Sequence, residues 1–271
     1  MTRVLSGAVL IALAVYVVWF APGWAFFGVA ELLLVLAFVE YSRLAAAAGV
    51  SIPRAASGAV TVCTSIGVSS TLWVGDTVAG TAVALDAILM SGFVLLAVIT
   101  LAAWRGGRDA LGRVSVAMFP ALYLGLPIGA MIATRSIQGR EALFLLMLTI
   151  IVSDSAQYYS GRALGRRLLA PAVSPKKTVE GAAGGFVFGA ALFTTLGAWW
   201  LPSIPAFLRA IIGIAIVALG IAGDLFESML KRSAGVKDSS ALIPGHGGIL
   251  DRIDALLFAA PIYYVVLKYA Q

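Results

Sequence analysis

The sequence predicts an all-α integral membrane protein that crosses the bilayer many times. Of its 271 residues, 61% are hydrophobic and only 12% are charged, which is about half the charged fraction of an ordinary soluble protein. The apolar residues form nine stretches close to the roughly 20 residues that a helix needs to cross the hydrocarbon core. No long polar linker or charge block separates them. We therefore expect a single transmembrane domain over residues 1–271, with about nine helices.

The nine predicted spans follow one another with short breaks. The first begins after Arg3, and Pro22-Gly23-Trp24 leads directly into the second without a clear small-residue cleavage site, so the first helix is predicted to remain uncleaved. The last span is short unless Asp251 and Arg252 lie in its first turn. The spans are Val4–Phe20, Trp24–Ala46, Ala55–Val74, Val78–Ala103, Val114–Ala133, Ala142–Leu164, Ala182–Leu201, Pro205–Met229 and Ile249–Tyr269.

The distribution of lysine and arginine predicts a cytoplasmic N-terminus. With the N-terminus inside, 15 of the 19 basic residues fall on the inner face and four on the outer face, as expected from the excess of positive charge in cytoplasmic loops. The same orientation places every phosphate-binding motif in the cytoplasm. We therefore predict a multi-pass protein of the inner (cytoplasmic) membrane whose active site faces the cytoplasm.

Composition also bounds the partners. A net charge of +6 would suggest nucleic acid in a soluble chain, but here the basic residues are accounted for by loops on one membrane face. Anionic lipids and anionic substrates are the expected partners, and nucleic acid is not. Cys63 is the single cysteine, which excludes an internal disulfide or a cysteine metal site.

Most of the chemistry-bearing residues lie in one stretch, Ser228 to Asp254. Its sequence is SMLKRSAGVKDSSALIPGHGGILDRID, which combines a basic pair, aspartates and a glycine-rich turn around the only histidine. Backbone N–H groups of such turns bind phosphate oxygens, and aspartate carboxylates hold Mg²⁺. The stretch is therefore predicted to handle phosphates with the help of a metal ion.

This stretch resembles the signature of the phosphatidate cytidylyltransferases, also called CDP-diacylglycerol synthases. The matching residues are Ser228, Leu230, Lys231, Arg232, Lys237, Asp238, Ser240, Ile243, Pro244, His246, Gly247, Gly248, Ile249, Asp251, Arg252, Ile253 and Asp254. Further similarity lies at Ser174–Thr178 with Glu180-Gly181, and at Gly223-Asp224 with Glu227-Ser228. Residues 136–271 are thus expected to form the catalytic half, whereas residues 1–135 resemble the family only loosely, through Glu40-Tyr41 and Gly125–Pro127.

The resemblance implies a membrane nucleotidyltransferase that makes CDP-diacylglycerol and pyrophosphate from CTP and phosphatidic acid. Its cofactor would be Mg²⁺, with a second cation left open, and the family implies a homodimer. Two alternatives stay open from the residues alone. One is a CTP-dependent kinase of a lipid or polyprenol, which would release CDP instead of pyrophosphate. The other is an ion-coupled transporter, although the sequence has no repeated halves and its polar residues cluster at one face.

Asp224 and Asp251 are the predicted metal ligands. Asp224, Glu227 and Ser228 share one helix face because they are spaced i, i+3 and i+4. If the eighth and ninth spans end side by side, the two aspartates would bracket one or two metal ions, and the resemblance supports that role. The alternative is that both aspartates only cap helix ends or pair with Arg232 and Arg252.

The remaining site predictions concern phosphates and nucleotide. Lysine suits compact phosphate charge, and Thr178 is predicted to cap the next helix. A lone histidine is more often structural than catalytic, but His246 lies between Gly245 and Gly247 in the phosphate-binding motif and is predicted to assist the leaving pyrophosphate. The predicted catalytic residues are Lys231, Arg232, Lys237 and His246; the predicted substrate-binding residues are Ser174, Lys176, Lys177, Asp154, Ser228, Gly247, Gly248 and Arg252.

Other features are predicted to be structural. The intramembrane acids Glu31, Glu40 and Asp86 are weaker candidates, for which we expect structural roles. The repeat Gly181, Gly185, Gly189 places small residues on one helix face, which favours close helix packing over chemistry. The same face would also suit contact between two copies of the chain.

Overall fold

Apolar runs fold into helices along nearly the whole chain. The computed structural model describes residues 2–70, 78–106, 109–243, 245 and 247–270, without the side chains of 2–6, 8–10 and 78–84. The elements are α1 (Thr2–Trp19), α2 (Gly23–Ala47), α3 (Arg54–Ser69), α4 (Val78–Ala103), α5 (Ala110–Pro120), a π-helical turn (Ala121–Gly125), α6 (Leu126–Ile137), α7 (Arg140–Leu164), β1 (Leu168–Ala170), β2 (Ser174–Thr178), α8 (Val179–Trp200), α9 (Ala206–Ser233) and α10 (Leu250–Ala270).

Seven helical segments in the described part of the chain are long and apolar enough to cross a membrane. The protein is therefore a polytopic α-helical membrane protein, as predicted. The seven are α2, residues 85–103 of α4, the continuous α5–α6 rod, α7, α8, α9 and α10. The other two predicted spans correspond to α1 and α3, and α3 has only 16 residues. The number nine stays a prediction.

One predicted span contains an irregularity that composition did not indicate. The rod from Ala110 to Ile137 passes through Pro120 and a π-helical turn before it continues as α6. Gly125, the last residue of this turn, and Gly129 face the backbone of α3. An added Cβ at Gly125 would lie 2.6 Å from the Thr61 carbonyl oxygen, and one at Gly129 would lie 2.6 Å from that of Ser65. The rod and α3 therefore pack backbone against backbone.

The small-residue face of α8 has the packing role predicted for it. A Cβ at Gly181 would lie 2.7 Å from the carbonyl oxygen of Gln157, and one at Gly185 would lie 2.6 Å from the Gln157 side chain on α7. At Gly189 it would meet Val217 of α9 at 2.6 Å. Because this face is covered from within the chain, it is not available to join two copies.

Helices α9 and α10 approach closely near the signature stretch. A Cβ at Gly223 would lie 2.5 Å from the carbonyl oxygen of Asp254, so glycine allows the two backbones to touch there. In the C-terminal half of α10, the buried Tyr263 donates a hydrogen bond to the Ala142 carbonyl of α7 (3.0 Å). The first contact brings the signature residues of α9 and α10 together, and the second joins α7 to α10.

The loop between α7 and α8 contains structure that the span analysis did not predict. Strands β1 and β2 form an antiparallel hairpin in which Leu168 pairs with Thr178 and Ala170 with Ser174. The prediction of an all-α chain holds for the membrane-crossing part, and this two-stranded hairpin is its exception among the described residues.

Candidate active site

The signature stretch connects α9 to α10. Helix α9 continues to Ser233, so Lys231 and Arg232 lie in its last turn and not in the loop beyond Met229. Helix α10 begins at Leu250, which places Asp251 in its first turn as predicted. Between them, the Ile243 N–H donates to the Gly247 carbonyl (2.8 Å) and closes the loop. The two ends of the stretch are joined by the contact between Lys231 and Asp251.

Lys231 is the centre of a buried ion-pair cluster. Its ammonium group pairs with Glu227 one turn earlier on α9 and with Asp251 on α10. Glu227 is fully buried, and the Lys231 and Asp251 side chains are 10% and 6% exposed. We call Glu227, Lys231 and Asp251 the Lys231 cluster. Each charge in it has an opposite partner, which a buried charge requires.

Asp251 is also held by its own loop. Its Oδ2 accepts hydrogen bonds from the Gly248 N–H (2.8 Å), the Ser239 N–H (3.0 Å) and the Ser239 hydroxyl (2.8 Å). The other carboxylate oxygen faces Lys231. Both oxygens of Asp251 are therefore occupied by protein donors.

The two glycines of the motif allow this arrangement. Gly247 has φ +76°, a conformation that favours glycine, and a Cβ there would lie 2.5 Å from Asp251 Oδ2. A Cβ at Gly248 would collide with the carboxylate of Glu40 and the hydroxyl of Ser239. The predicted role of both glycines in substrate binding stays a prediction, and the Gly248 N–H is already donated to Asp251.

Glu40 of α2 contacts the loop between α9 and α10 (residues 234–249), which we call the signature loop. No local sequence signal indicates this contact. It is 2% exposed. Oε1 accepts from the Ser240 hydroxyl (2.6 Å) and the Ile249 N–H (3.0 Å), and Oε2 accepts from the Ser239 hydroxyl (2.9 Å) and the Leu250 N–H (2.8 Å). Its expected structural role is confirmed, but the structure it supports is the signature loop itself.

A second cluster surrounds Lys177 and is more open. The ammonium group of Lys177 pairs with Asp224 on α9, and these side chains are 21% and 31% exposed. Asp154 and Asp254 lie within electrostatic reach of Asp224. We call Asp154, Lys177, Asp224 and Asp254 the Lys177 cluster. Asp224 therefore has a lysine partner and two further carboxylates near it, contributed by α7 and α10.

Weaker polar contacts surround the Lys177 cluster. The Ser228 hydroxyl is 3.4 Å from Asp224 Oδ1, and the Gln157 amide donates to Asp154 at 3.0 Å. Asp254 accepts from the N–H of Ala255 at 2.7 Å. Each of these carboxylates has few protein donors, unlike Asp251.

The β-hairpin positions Lys177. Thr178 ends β2 and caps α8, accepting the Gly181 N–H at 3.1 Å, which confirms the predicted cap. Glu180 accepts the N–H groups of Arg166 (2.9 Å) and Arg167 (3.2 Å) and ties the start of the hairpin to α8. The alternation of a strand directs Lys177 toward Asp224 and leaves Lys176 exposed.

The predicted site residues separate into three groups. The Lys177 cluster and its neighbour Ser228 contain four of them, and the Lys231 cluster contains Lys231 and Asp251. The others are accessible or lie in the loop: Lys176, Arg232, Lys237 and Arg252 are exposed, Ser174 is half-buried at the start of β2, and Gly247 and Gly248 shape the turn. His246 lies outside the described residues, so its predicted role stays a prediction.

The alternative in which the two aspartates pair with arginines is not what the structure contains. Asp224 pairs with Lys177 and Asp251 pairs with Lys231, and within the described ranges neither aspartate makes an ion pair with Arg232 or Arg252. The part of the chain that the structure describes contains no group of three or more His, Cys, Asp or Glu side chains arranged to hold a metal ion. Any metal ion bound here would need ligands from a substrate as well.

The two clusters lie one helical turn apart on the seam between α9 and α10. Gly223-Asp224 and the segment Gly247–Arg252 of the signature lie along this seam. Lys177 of the hairpin contacts the seam through Asp224. The model of the cytidylyltransferase family matches residues 1–270. The chain belongs to the cytidylyltransferase family.

Curated members of similar sequence include three bacterial proteins named phosphatidate cytidylyltransferase. The chain is 40% identical to that of Bacillus subtilis over 161 residues, covering 59% of each chain. It is 48% identical to that of Haemophilus influenzae over 132 residues, 45% of each chain. It is 48% identical to that of Synechocystis over 132 residues, covering 48% of this chain and 44% of the relative. The matched segment thus spans about half the length of these relatives.

Proposed function

We propose that this family member makes CDP-diacylglycerol and pyrophosphate from CTP and phosphatidic acid. The observation that carries the proposal is the Lys177 cluster, a half-buried lysine–aspartate pair with two further carboxylates near the aspartate, at the signature stretch of a membrane-embedded chain. The similarity to proteins named phosphatidate cytidylyltransferase supports the same reaction. The diacyl chains stay in the leaflet while the lipid phosphate reaches this site.

The chemistry is an in-line displacement at phosphorus. An oxygen of the lipid phosphate attacks the α-phosphorus of CTP, a new P–O bond forms, and the bond to the bridging β-phosphate oxygen breaks to release pyrophosphate. A phosphate monoester has a second pKa near 6 and is largely dianionic at pH 7, so it needs no strong general base. The main barrier is repulsion between two anions, which positive charge at the site relieves.

Basic residues at the site supply that charge. Lys176, Arg232, Lys237 and Arg252 are exposed, and we assign them to phosphates of CTP and lipid. Lys177 exchanges its contact with Asp224 for a substrate phosphate. Ser174 and Ser228 donate hydrogen bonds, and His246 assists the leaving pyrophosphate. Asp154 lines the nucleotide pocket.

Mg²⁺ is the proposed cofactor, and the donor set suits it. Mg²⁺ is usually held by one or two carboxylates together with substrate phosphates, and the ammonium group of Lys177 already lies where the carboxylates attract a cation. Asp224 and Asp254 have oxygens with few protein donors and would hold the ion. Asp251 would join them only if Lys231 moves away. When bound, the metal neutralises phosphate charge and stabilises the departing pyrophosphate.

The membrane arrangement extends this proposal. Nine spans with a cytoplasmic N-terminus put the signature loop, the hairpin and most basic residues on the cytoplasmic side of the inner membrane, where CTP is available. A homodimer would use a surface other than the glycine face of α8, because that face packs against α7 and α9.

The deciding experiment is pyrophosphate release by purified protein in detergent micelles. CTP, phosphatidic acid and Mg²⁺ are supplied together and then omitted one at a time, and the lipid product is identified by mass spectrometry. We expect release only when all three are present, with CDP-diacylglycerol formed in equal amount. Conversion of CTP to CDP with a phosphorylated lipid would support a kinase instead, and a folded protein that leaves CTP intact would refute the proposal.

A further inference from the structure

A carboxylate from the N-terminal half of the chain, that of Glu40, accepts hydrogen bonds from the signature loop. Glu40 is separated from its partners Ser239, Ser240, Ile249 and Leu250 by 199 to 210 residues. It is nearly fully buried at 2% exposure. Burial of an ionised carboxylate is costly unless hydrogen bonds compensate. Four donors on two oxygens provide that compensation, so Glu40 is fully engaged in the loop.

Two of these donors are backbone N–H groups at the start of α10: that of Ile249, just before the helix, and that of Leu250, its first residue. The opening N–H groups of a helix have no partner within the helix and are usually satisfied by a nearby side chain. Here Glu40 of α2 accepts those of Ile249 and Leu250, while Asp251 accepts the preceding N–H of Gly248. The negative charge of Glu40 also interacts favourably with the positive end of the helix dipole at the N-terminus of α10. Glu40 therefore determines where α10 starts and how its first turn is oriented.

The Ser239 hydroxyl connects Glu40 to the reaction site. It lies 2.9 Å from Glu40 and 2.8 Å from Asp251, and since a hydroxyl has one hydrogen, it donates to one carboxylate at a time. Asp251 in turn pairs with Lys231. A continuous polar path therefore runs from α2 through the loop to the Lys231 cluster. Gly248 allows this path, because any side chain there would collide with both Glu40 and Ser239.

From this geometry we infer that Glu40 is a positioning residue for catalysis: it touches no substrate but holds Asp251, and through it Lys231, in working orientation. The inference rests on the proposed function for its kinetic part. Its structural part, the immobilisation of Lys231, stands without it. A glutamine at this position has the same shape but presents an NH₂ group where the carboxylate accepts two donors, so at least one backbone N–H of α10 loses its acceptor.

Glu31 provides a matched control. It lies on the same helix and accepts one hydrogen bond from the Ser65 hydroxyl (2.7 Å), away from the signature loop. Glu31→Gln therefore makes the same chemical change in α2 without affecting the path to Asp251. Ser239→Ala is a second variant that interrupts the path itself.

The experiment compares wild type, Glu31→Gln, Glu40→Gln, Ser239→Ala and the Glu40→Gln/Ser239→Ala double variant. Orienting partners of functional carboxylates typically contribute about 10- to 100-fold to activity, so we expect Glu40→Gln to lower kcat by that factor while KM for CTP changes about twofold or less. Glu31→Gln should retain wild-type kcat. The double variant should be little worse than Glu40→Gln, because both changes break one path.

A second readout does not depend on activity. An amine-reactive ester is applied to each variant, and the labelling of Lys231 is measured by peptide mass spectrometry relative to the exposed Lys237. Lys231 labelling should rise several-fold in Glu40→Gln and in Ser239→Ala but not in Glu31→Gln. Unchanged labelling with unchanged kcat would overturn the inference. If wild type has no CTP-dependent activity, the proposed function fails, and the labelling still tests the positioning; if Glu40→Gln does not fold, Ser239→Ala decides.

Discussion

The two lysine clusters on the α9–α10 seam differ in burial and in what holds them. The Lys231 cluster is nearly inaccessible, and its lysine has two carboxylate partners. The Lys177 cluster is half-buried. Its lysine lies on the β-hairpin and pairs with Asp224, one of the three aspartates of the cluster. The first is suited to fix the geometry of the loop. The second is suited to exchange partners with a substrate.

The same ion-pair chemistry therefore has different energetic consequences in the two places. Breaking a buried pair leaves an uncompensated charge and costs about 3–5 kcal/mol, whereas accessible pairs contribute about 0–1 kcal/mol. We expect changes in the Lys231 cluster to appear first in stability. Changes in the Lys177 cluster should appear in activity alone.

The largest expected effect is that of Lys231→Met. Removing the ammonium group leaves Glu227 and Asp251 buried and facing each other's charge, so we expect the free energy of unfolding to fall by about 3–5 kcal/mol. Thermal unfolding in detergent, followed by fluorescence, measures the change. Product formation should also be lost.

The double variant Lys231→Met with Glu227→Leu sharpens this result. Apolar replacement of a buried pair is often neutral or stabilising, so part of the lost stability should return while activity does not. A Lys231→Met protein as stable as wild type would mean that the Lys231 cluster does not hold the loop.

Asp224→Asn should give the opposite pattern. The change removes the charge that attracts Lys177 and a cation, and we expect turnover to fall about 100-fold or more, as when an electrostatic group at a reacting centre is lost. The free energy of unfolding should change by no more than about 1 kcal/mol, because both side chains of the pair are partly exposed. Product formation at saturating CTP and a melting curve of the same preparation test both parts. Wild-type turnover by the Asp224→Asn variant would show that Asp224 has no role in the reaction.

The smallest expected effect concerns the hairpin. Thr178→Val removes the cap of α8 and should cost about 1 kcal/mol of stability, together with a several-fold rise in KM for CTP because the hairpin then holds Lys177 less firmly. Thr194→Val is the matched control on the same helix, since its hydroxyl donates only to the Ala190 carbonyl (2.7 Å). Melting temperatures and KM values of the two variants are compared. An equal effect of both would show that the cap does not position Lys177.

Local patterns predicted the features that depend on neighbours along the chain. The apolar runs predicted the helices, the spacing of Gly181, Gly185 and Gly189 predicted a packing face, and Thr178 before an apolar run predicted a cap. The β-hairpin was missed because its strands have only three and five residues, one wholly apolar (Leu-Leu-Ala) and the other mainly polar (Ser-Pro-Lys-Lys-Thr). Such strands carry no apolar alternation that a sequence reading could detect.

The sequence by itself determined the helical membrane architecture, the family and the set of charged residues at the site, because composition, span length and a dense motif are local properties of the chain. Only the tertiary structure decided which charges meet: Asp251 with Lys231, Asp224 with Lys177 and with the neighbouring Asp254, and Glu40 with a loop about 200 residues away. Such pairings follow from how helices approach one another, and here glycines at 223 and 248 permit the approach. No periodicity along the chain encodes it.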